Sequence, residues 1–143
     1  MKLNSLLFAA IIGLVGINAY ADTVELSTMF DIHKENEYAF SQKYENKRLQ
    51  FDAVIHAIDS KCYTRFLNWD GDTENVPCAK LDAPDTTIEL WGLEVPIANA
   101  IMKDNDDLLK LKRGQHTTLE CELTSEYLFD LESFTFKDCI IVE

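Results

Sequence analysis

Apolar and polar residues alternate along several segments of the chain, which is the pattern of a half-buried β-strand. The first segment is "RLQFDAVIHAI", and one of its faces carries Leu49, Phe51, Ala53, Ile55 and Ala57. The opposite face carries Gln50, Asp52 and His56. The pattern predicts one strand here, with His56 solvated on its polar face.

Further segments also indicate strands. "CYTRFLNW" and "ENVPCAKL" flank an acidic stretch and predict a hairpin, in which Pro77 restricts the second arm to an edge or a short strand. "TTIELWGL" predicts another strand, with Ile88 and Leu90 opposite Glu89 and Trp91. "HTTLECELT" and "SFTFKDCIIV" predict the last two strands. Their apolar residues include Leu119, Cys121, Leu123, Phe134, Phe136, Ile140 and Val142.

Two segments follow a helical period instead. "STMFDIHKENEYAFSQKYENK" predicts an N-terminal helix capped by Ser27 or Thr28, and Asn36 interrupts its apolar stripe. That stripe consists of Met29, Ile32, Phe40 and Tyr44. Pro96 predicts the start of a second helical segment, which carries Ile97, Ala100, Ile101, Leu108 and Leu111. We expect a break in it at "KDNDD", with Asn105 or Asp106 as a second cap and Gly114 just past the end.

The order of these elements predicts the fold class. A helix, about three strands, a helix and two strands indicate a mostly β protein, and an OB-fold-like five-stranded β-barrel places its helix before the last two strands. A different α+β sandwich is the alternative.

The first 21 residues have the features of a secretory signal peptide. Lys2 precedes an apolar run from Leu6 to Ile17, and the small residues Ala19 and Ala21 flank Tyr20. The run is shorter than the about 20 residues that a membrane span needs. We therefore expect a signal peptide at 1–21, a single domain at 22–143, a periplasmic location or release from the cell, and no membrane anchor after cleavage.

The chain is strongly acidic. Its formal net charge is −12, and removal of residues 1–21 takes away Lys2 and no acid, which leaves 12 basic against 25 acidic residues, or −13. Such a charge repels phosphate backbones and attracts basic partners. Acidity that only aids solubility is the alternative interpretation.

All four cysteines lie in the predicted mature part: Cys62, Cys78, Cys121 and Cys139. An even number in an exported chain predicts two disulfides, although four cysteines allow three pairings. A zinc site is the rival interpretation, but the chain has no C-x-x-C pair and its three histidines are scattered.

Much of the chain resembles a known family. The relevant segments are "NEYAFSQKYENKRLQF", "LLKLKRGQHTTLEC" and "FTFKDCII". In these segments the chain resembles the tRNA-anticodon-like OB-fold family of small exported bacterial proteins. The resemblance implies an OB-fold and a Cys121–Cys139 bridge, and it names no catalytic residue. The chain departs from the family in a longer segment after the first strand, which holds Cys62 and Cys78.

That longer segment contains "NWDGDTEN", which begins like a calcium loop. An EF-type loop starting at Asn68 requires Gly at its sixth position and Glu at its twelfth, where the chain has Thr73 and Ala79. A disulfide-bridged hairpin fits better, because Cys62 and Cys78 lie eight residues either side of Asp70, and a weak, open metal site at Asp70, Asp72 and Glu74 is the alternative. If the two cysteines face each other, the loop is Trp69-Asp70-Gly71, with Gly71 left-handed. The same arithmetic centres Cys121 and Cys139 on Asp130.

Motifs of catalysis are missing from the sequence. It contains no G-x-S-x-G, no H-E-x-x-H and no glycine-rich phosphate loop. We therefore expect neither an enzyme nor a cofactor. The best-supported function is an exported binding module that inhibits or neutralises a basic protein, as an immunity protein does. A module that binds an oligosaccharide or cell-wall glycan is the alternative, whereas the acidity argues against oligonucleotides. The candidate partner-binding residues are Trp69, Asp70, Asp72, Glu74 and Trp91.

Overall fold

A computed structural model of the chain describes residues 20–66, 70–71, 73–124 and 134–143. Strands dominate it, as the alternating segments predict. The helices are α1 (Leu26–Glu35), α2 (Glu37–Tyr44) and a 3₁₀ helix (Asn105–Lys110). The strands are β1 (Asp22–Thr23), β2 (Arg48–Phe66), β3 (Thr73–Asp82), β4 (Ile88–Leu90), β5 (Leu93–Val95), β6 (Ala98–Met102), β7 (His116–Leu123) and β8 (Phe134–Val142).

Five strands close into a barrel-like ring. The hydrogen-bonded order is β2–β3–β6–β8–β7, and β7 pairs back with β2. The long strand β2 closes the ring by pairing with two strands. Arg48 to Val54 pair with β7, and the residues from Val54 onward pair with β3. Only β6 and β8 are parallel among the ring pairs described here. This arrangement, with the 3₁₀ helix before the last two strands, confirms the predicted mostly β, OB-like fold class.

The interior of the ring is the hydrophobic core. On β2 the predicted inner face is confirmed at Leu49, Phe51, Ala53 and Ile55, which are all buried. The rings of Phe51 and Phe136 stack across the core at 4.5 Å. Burial of a side chain of this size stabilises a fold by about 1.5–3 kcal/mol. The two N-terminal helices add the rest of the predicted stripe, since Met29, Phe40 and Tyr44 are buried and Ile32 packs against the core.

The N-terminal helix is interrupted more strongly than predicted. Asn36 ends α1 with an extended backbone (φ −157°), and its side-chain oxygen accepts a hydrogen bond from the backbone N–H of Ala39 at 3.0 Å, so it caps α2. Asparagine does this because its short amide competes with the backbone for hydrogen bonds. The predicted cap at Ser27 or Thr28 is wrong, since α1 begins after Glu25 without a side-chain cap.

The predicted helix after Pro96 is wrong in its first half. Residues Ala98–Met102 form strand β6, which pairs with β3 on one side and β8 on the other. A short apolar run is compatible with either a buried strand or a helix. Here the backbone pairing on both edges makes the run a strand. The second half forms the 3₁₀ helix, whose cap is Asp104 and not Asn105 or Asp106. Gly114 is left-handed (φ +81°), as expected, but it lies in a turn beyond the helix end.

Two expectations about β2 and β3 also need correction. His56 is half-buried, and its Nδ1 lies 2.9 Å from Oδ2 of Asp82, so it is not a solvated residue. Strand β3 is not short, since it spans Thr73–Asp82, and it is an edge only in its first part, where Pro77 lies, because Ala79–Leu81 pair with β6 as well as β2. Pro77 is tolerated because residues 60–62 of β2 bulge opposite it, where no ladder hydrogen bond is required.

Helices long and apolar enough to span a membrane are absent from the described residues.

Candidate functional site

Both predicted disulfides are present. Cys62 is bonded to Cys78, and Cys121 to Cys139. The second bridge joins β7 to β8, and both of its cysteines are buried in the core. Within the described ranges, no three His, Cys, Asp or Glu residues are grouped so as to hold a metal ion.

The hairpin around the first bridge has a different register from the predicted one. Phe66 pairs with Thr73, and the ladder then places Cys78 opposite Asp59, while Cys62 lies in the bulge of β2. The two cysteines are therefore not directly opposed. The predicted register is wrong by one residue near the loop, where Phe66 pairs with Thr73, and by three residues at Cys78, which pairs with Asp59. Gly71 is left-handed (φ +87°), as expected. The candidate residues Trp69 and Asp72 lie outside the described residues.

A groove crosses the outer face of β3, β6 and β8. Because Ala79 and Leu81 point into the core, Val76 on the same strand points outward. By the same alternation, Ile101 of β6 and Ile140 of β8 face outward beside it. These three half-buried side chains form the floor of a groove of about 660 Å³. Strands β3 and β6 are the second and third strands of the ring in chain order, and the face of these two strands binds ligands in OB-folds.

The rim of this groove is acidic. Carboxylates outnumber the single ammonium group of Lys103, since Glu74 comes from β3, and Asp104 and Asp107 come from the start of the 3₁₀ helix. We call these nine residues together the acidic groove: Glu74, Val76, Ile101, Met102, Lys103, Asp104, Asn105, Asp107 and Ile140. Among the described residues that line it, none is Ser, Cys or His.

Two of the carboxylates are oriented by local contacts. Oδ1 of Asp104 accepts the backbone N–H of Asp106 at 3.0 Å, which fixes the start of the helix. Oδ1 of Asp107 lies 2.6 Å from Nζ of Lys110. The hydrogen bond and charge of Asp107 raise the pKa of Lys110 above its ordinary value. Neither Glu74 nor Asp104 forms an ion pair with a residue whose side chain the structure describes, and Asp104 adds a second attractive charge to Lys110.

A second feature stands apart from the acidic groove. The predicted strand "TTIELWGL" is half of a separate hairpin, in which β4 pairs with β5 and Trp91-Gly92 form the turn. The side chain of Trp91 is 94% exposed. Large aromatic side chains are normally buried, so this tip is unusual.

The predicted partner-binding residues are thus not gathered at one place. Glu74 lies on the rim of the acidic groove, Asp70 is exposed near the end of the β2–β3 hairpin, and Trp91 lies on the β4–β5 hairpin. Sequence reasoning missed Asp104 and Asp107. The signal for them was the run "KDNDD", which was interpreted only as a helix break.

Comparisons with known proteins bear on the fold. No protein-family model and no curated protein matches the chain. The chain is similar to the crystal structure of a lipoprotein from Klebsiella pneumoniae that is provisionally described as nucleic acid-binding. The TM-score is 0.59, with 14% identity over 86% of this chain and 92% of that one. Such a likeness shows the fold alone. It agrees with a small bacterial OB-like fold, while the particular family suggested by the sequence stays a prediction.

Proposed function

We propose that this chain is a non-catalytic, exported binding module that holds a basic protein at the acidic groove. The observation that carries the proposal is the combination of an apolar floor with an acidic rim. Lysine and arginine side chains lay their aliphatic stems on apolar surface and keep their charged heads in water. Val76, Ile101 and Ile140 suit such stems, and Glu74 and Asp104 suit the heads.

The charge of the whole chain supports the same class of partner. A formal charge of −12 attracts a basic protein over a long range and speeds its association. Two disulfides are typical of an oxidising compartment and stiffen a binding surface before the partner arrives. The proposed location is therefore the periplasm or the exterior of the cell.

Nucleic acid and glycan are the rival ligands. The Klebsiella protein's description points to nucleic acid, but phosphates are held by cations, and Lys103 stands among three carboxylates here. Glycan binding commonly uses aromatic platforms, and the described residues that line the acidic groove include no aromatic ring. A basic protein is the ligand that these side chains favour.

Affinity capture from a periplasmic extract tests the proposal. We expect the mature chain to retain a protein rich in Lys and Arg at low salt and to release it as the ionic strength rises, because screening weakens exposed charge pairs. The variant Glu74→Gln/Asp104→Asn should lose most of this retention, because it removes two carboxylates from the rim. Its fold should be kept, because asparagine still caps the 3₁₀ helix. Single-stranded oligonucleotides and cell-wall glycan fragments should not bind.

Asp31→Asn/Glu35→Gln is the matched control. Asp31 and Glu35 are exposed on α1, so their replacement removes the same two charges without touching the acidic groove. The proposal fails if no basic protein is retained at low salt, or if the control weakens retention as much as the groove variant does. Salt-sensitive binding of an oligonucleotide would replace it with the rival function.

A further inference from the structure

The tip of the β4–β5 hairpin holds a large side chain in a backbone conformation that disfavours it. Trp91 has φ +56° and Gly92 has φ +79°, so both turn residues are left-handed. Two-residue hairpin turns of this kind favour Asn-Gly or Gly-Gly, because most L-residues are strained there. A tryptophan that is also 94% exposed gains nothing from burial in return.

One face of the hairpin is apolar from its base to its end. Ile88 pairs with Val95, and Ile88 packs against the hydrophobic core. The next pair on the same face is Leu90 with Leu93. Leu93 is 70% exposed, so the apolar face continues beyond the body of the protein.

The other face of the hairpin is acidic. Glu89 and Glu94 are directly opposed across the two strands. Like charges in this position destabilise a strand pair. Both residues are exposed, and neither forms an ion pair with a described residue.

The left-handed tryptophan, the exposed leucines and the opposed glutamates all destabilise the free protein, and binding to one kind of partner would offset this. A cleft with an apolar wall would cover Leu90 and Leu93, and arginines on its opposite wall would neutralise Glu89 and Glu94. Tryptophan is one of the residues enriched among those that dominate the binding energy of protein interfaces, and a stiff turn presents it at little entropic cost.

We infer that the β4–β5 hairpin is the anchor that inserts into a cleft of a basic protein, with Trp91 leading, the leucines on the apolar wall and the glutamates on the basic wall. This inference rests on the proposed function, because it takes the same class of partner. It adds a second contact surface to the acidic groove. A lipid surface fits less well, since anionic headgroups repel the two glutamates.

Site-specific photo-crosslinking in the cells that make the protein tests the inference. A benzoylphenylalanine is placed at Leu93 on the hairpin, at Lys103 in the acidic groove, or at Leu109 as the control, since Leu109 is 84% exposed on the 3₁₀ helix. We expect an adduct from Leu93 and not from Leu109, and we expect mass spectrometry to identify a protein with excess Lys and Arg. The adduct should fall at least tenfold with Trp91→Asn, which suits the turn, and with Glu89→Gln/Glu94→Gln.

Each outcome has a distinct meaning. An adduct at Lys103 without one at Leu93 overturns the anchor and leaves the proposed function standing. A basic protein captured at neither position overturns both. An adduct at Leu93 with lipid or with an acidic protein, or one that survives both sets of substitutions, also overturns the anchor. Circular dichroism of the purified variants confirms that they fold.

Discussion

Nη1 of Arg48 donates a hydrogen bond to the carbonyl oxygen of Asp138, 90 residues along the chain, at 3.0 Å. Nε of the same side chain lies 2.8 Å from Oε1 of Glu120, and Nη2 also donates to the Glu120 carbonyl. One half-buried guanidinium therefore ties the start of β2 to β7 and to the bend of β8. Asp138 is itself left-handed (φ +50°), so the contact supports a strained residue.

Replacement of this arginine by lysine is expected to lower the free energy of unfolding by about 1 kcal/mol, because an ammonium group cannot reproduce the three directed contacts. Urea unfolding measures the change. Arg113→Lys is the matched control, since Arg113 is exposed, and we expect it to change stability by less than about 0.5 kcal/mol. Equal losses from both variants would contradict the structural role of Arg48.

A second prediction concerns a buried hydroxyl. Thr135 of β8 is 3% exposed, and its Oγ1 has no hydrogen-bond partner within the described part of the structure. An unsatisfied buried hydroxyl costs about 1–3 kcal/mol, so Thr135→Val should raise the free energy of unfolding by about 1 kcal/mol.

Thr118→Val provides the contrast for this test. The Thr118 hydroxyl donates to Oδ1 of Asp52 at 2.6 Å, so its loss should lower stability by about 1 kcal/mol. Thermal unfolding of the two variants should therefore shift in opposite directions. A loss of stability in Thr135→Val would mean that the hydroxyl has a partner after all.

The two disulfides are expected to contribute unequally. Their cysteines are 16 and 18 residues apart, and loops of that size predict about 3 kcal/mol for each bridge from chain entropy. Replacement of both Cys121 and Cys139 by alanine should cost more than that, because both side chains are buried and small cavities remain. The double alanine variant of Cys62 and Cys78 should lose less. Guanidinium unfolding of the two variants compares them, and the reverse order would contradict this account.

The pair formed by Asp107 and Lys110 gives a prediction on ionisation. Asp107 raises the pKa of Lys110, so Asp107→Asn should lower that pKa towards its ordinary value. The stabilising contribution of the raised pKa is complete below the unfolded pKa of lysine, about 10.4, and is lost as pH rises through the higher folded value. NMR titration of the lysine Cε signals measures the shift, and an unchanged Lys110 pKa in the variant would contradict the assignment.

The sequence predicts the parts of the fold that a single segment determines. The alternation in β2 identifies its buried face as far as Ile55, because one side of the strand faces the core up to that residue, whereas Ala57 of the predicted face is only half-buried. Strand β6 escapes prediction, since "ANAIM" is short and has Asn99 as its one polar residue, and only pairing with β3 and β8 makes it a strand. The register around Cys62 and Cys78 escapes as well, because it depends on how β2 bulges opposite Pro77.

The candidate site was less predictable than the fold for a related reason. The floor of the acidic groove takes Val76, Ile101 and Ile140 from three strands that are distant in sequence. Each of these residues is an ordinary apolar position in its own segment. Glu74 could be predicted as a binding residue because it belongs to a conspicuous acidic run. Asp104 could not, because it reaches the same rim only through the position of strand β6, which precedes it.

Closure of the ring has a consequence for solubility. A strand with neighbours on both sides has no backbone edge to offer to another chain, and exposed edges are where sheets aggregate. The described part of β3 that precedes Cys78 lies beyond its ladder with β6. Pro77 has no N–H group there and Glu74 carries a charge, and both discourage the addition of a foreign strand. The proline and the charged side chain at this edge therefore protect the β2–β3 hairpin from self-association with other copies of the chain.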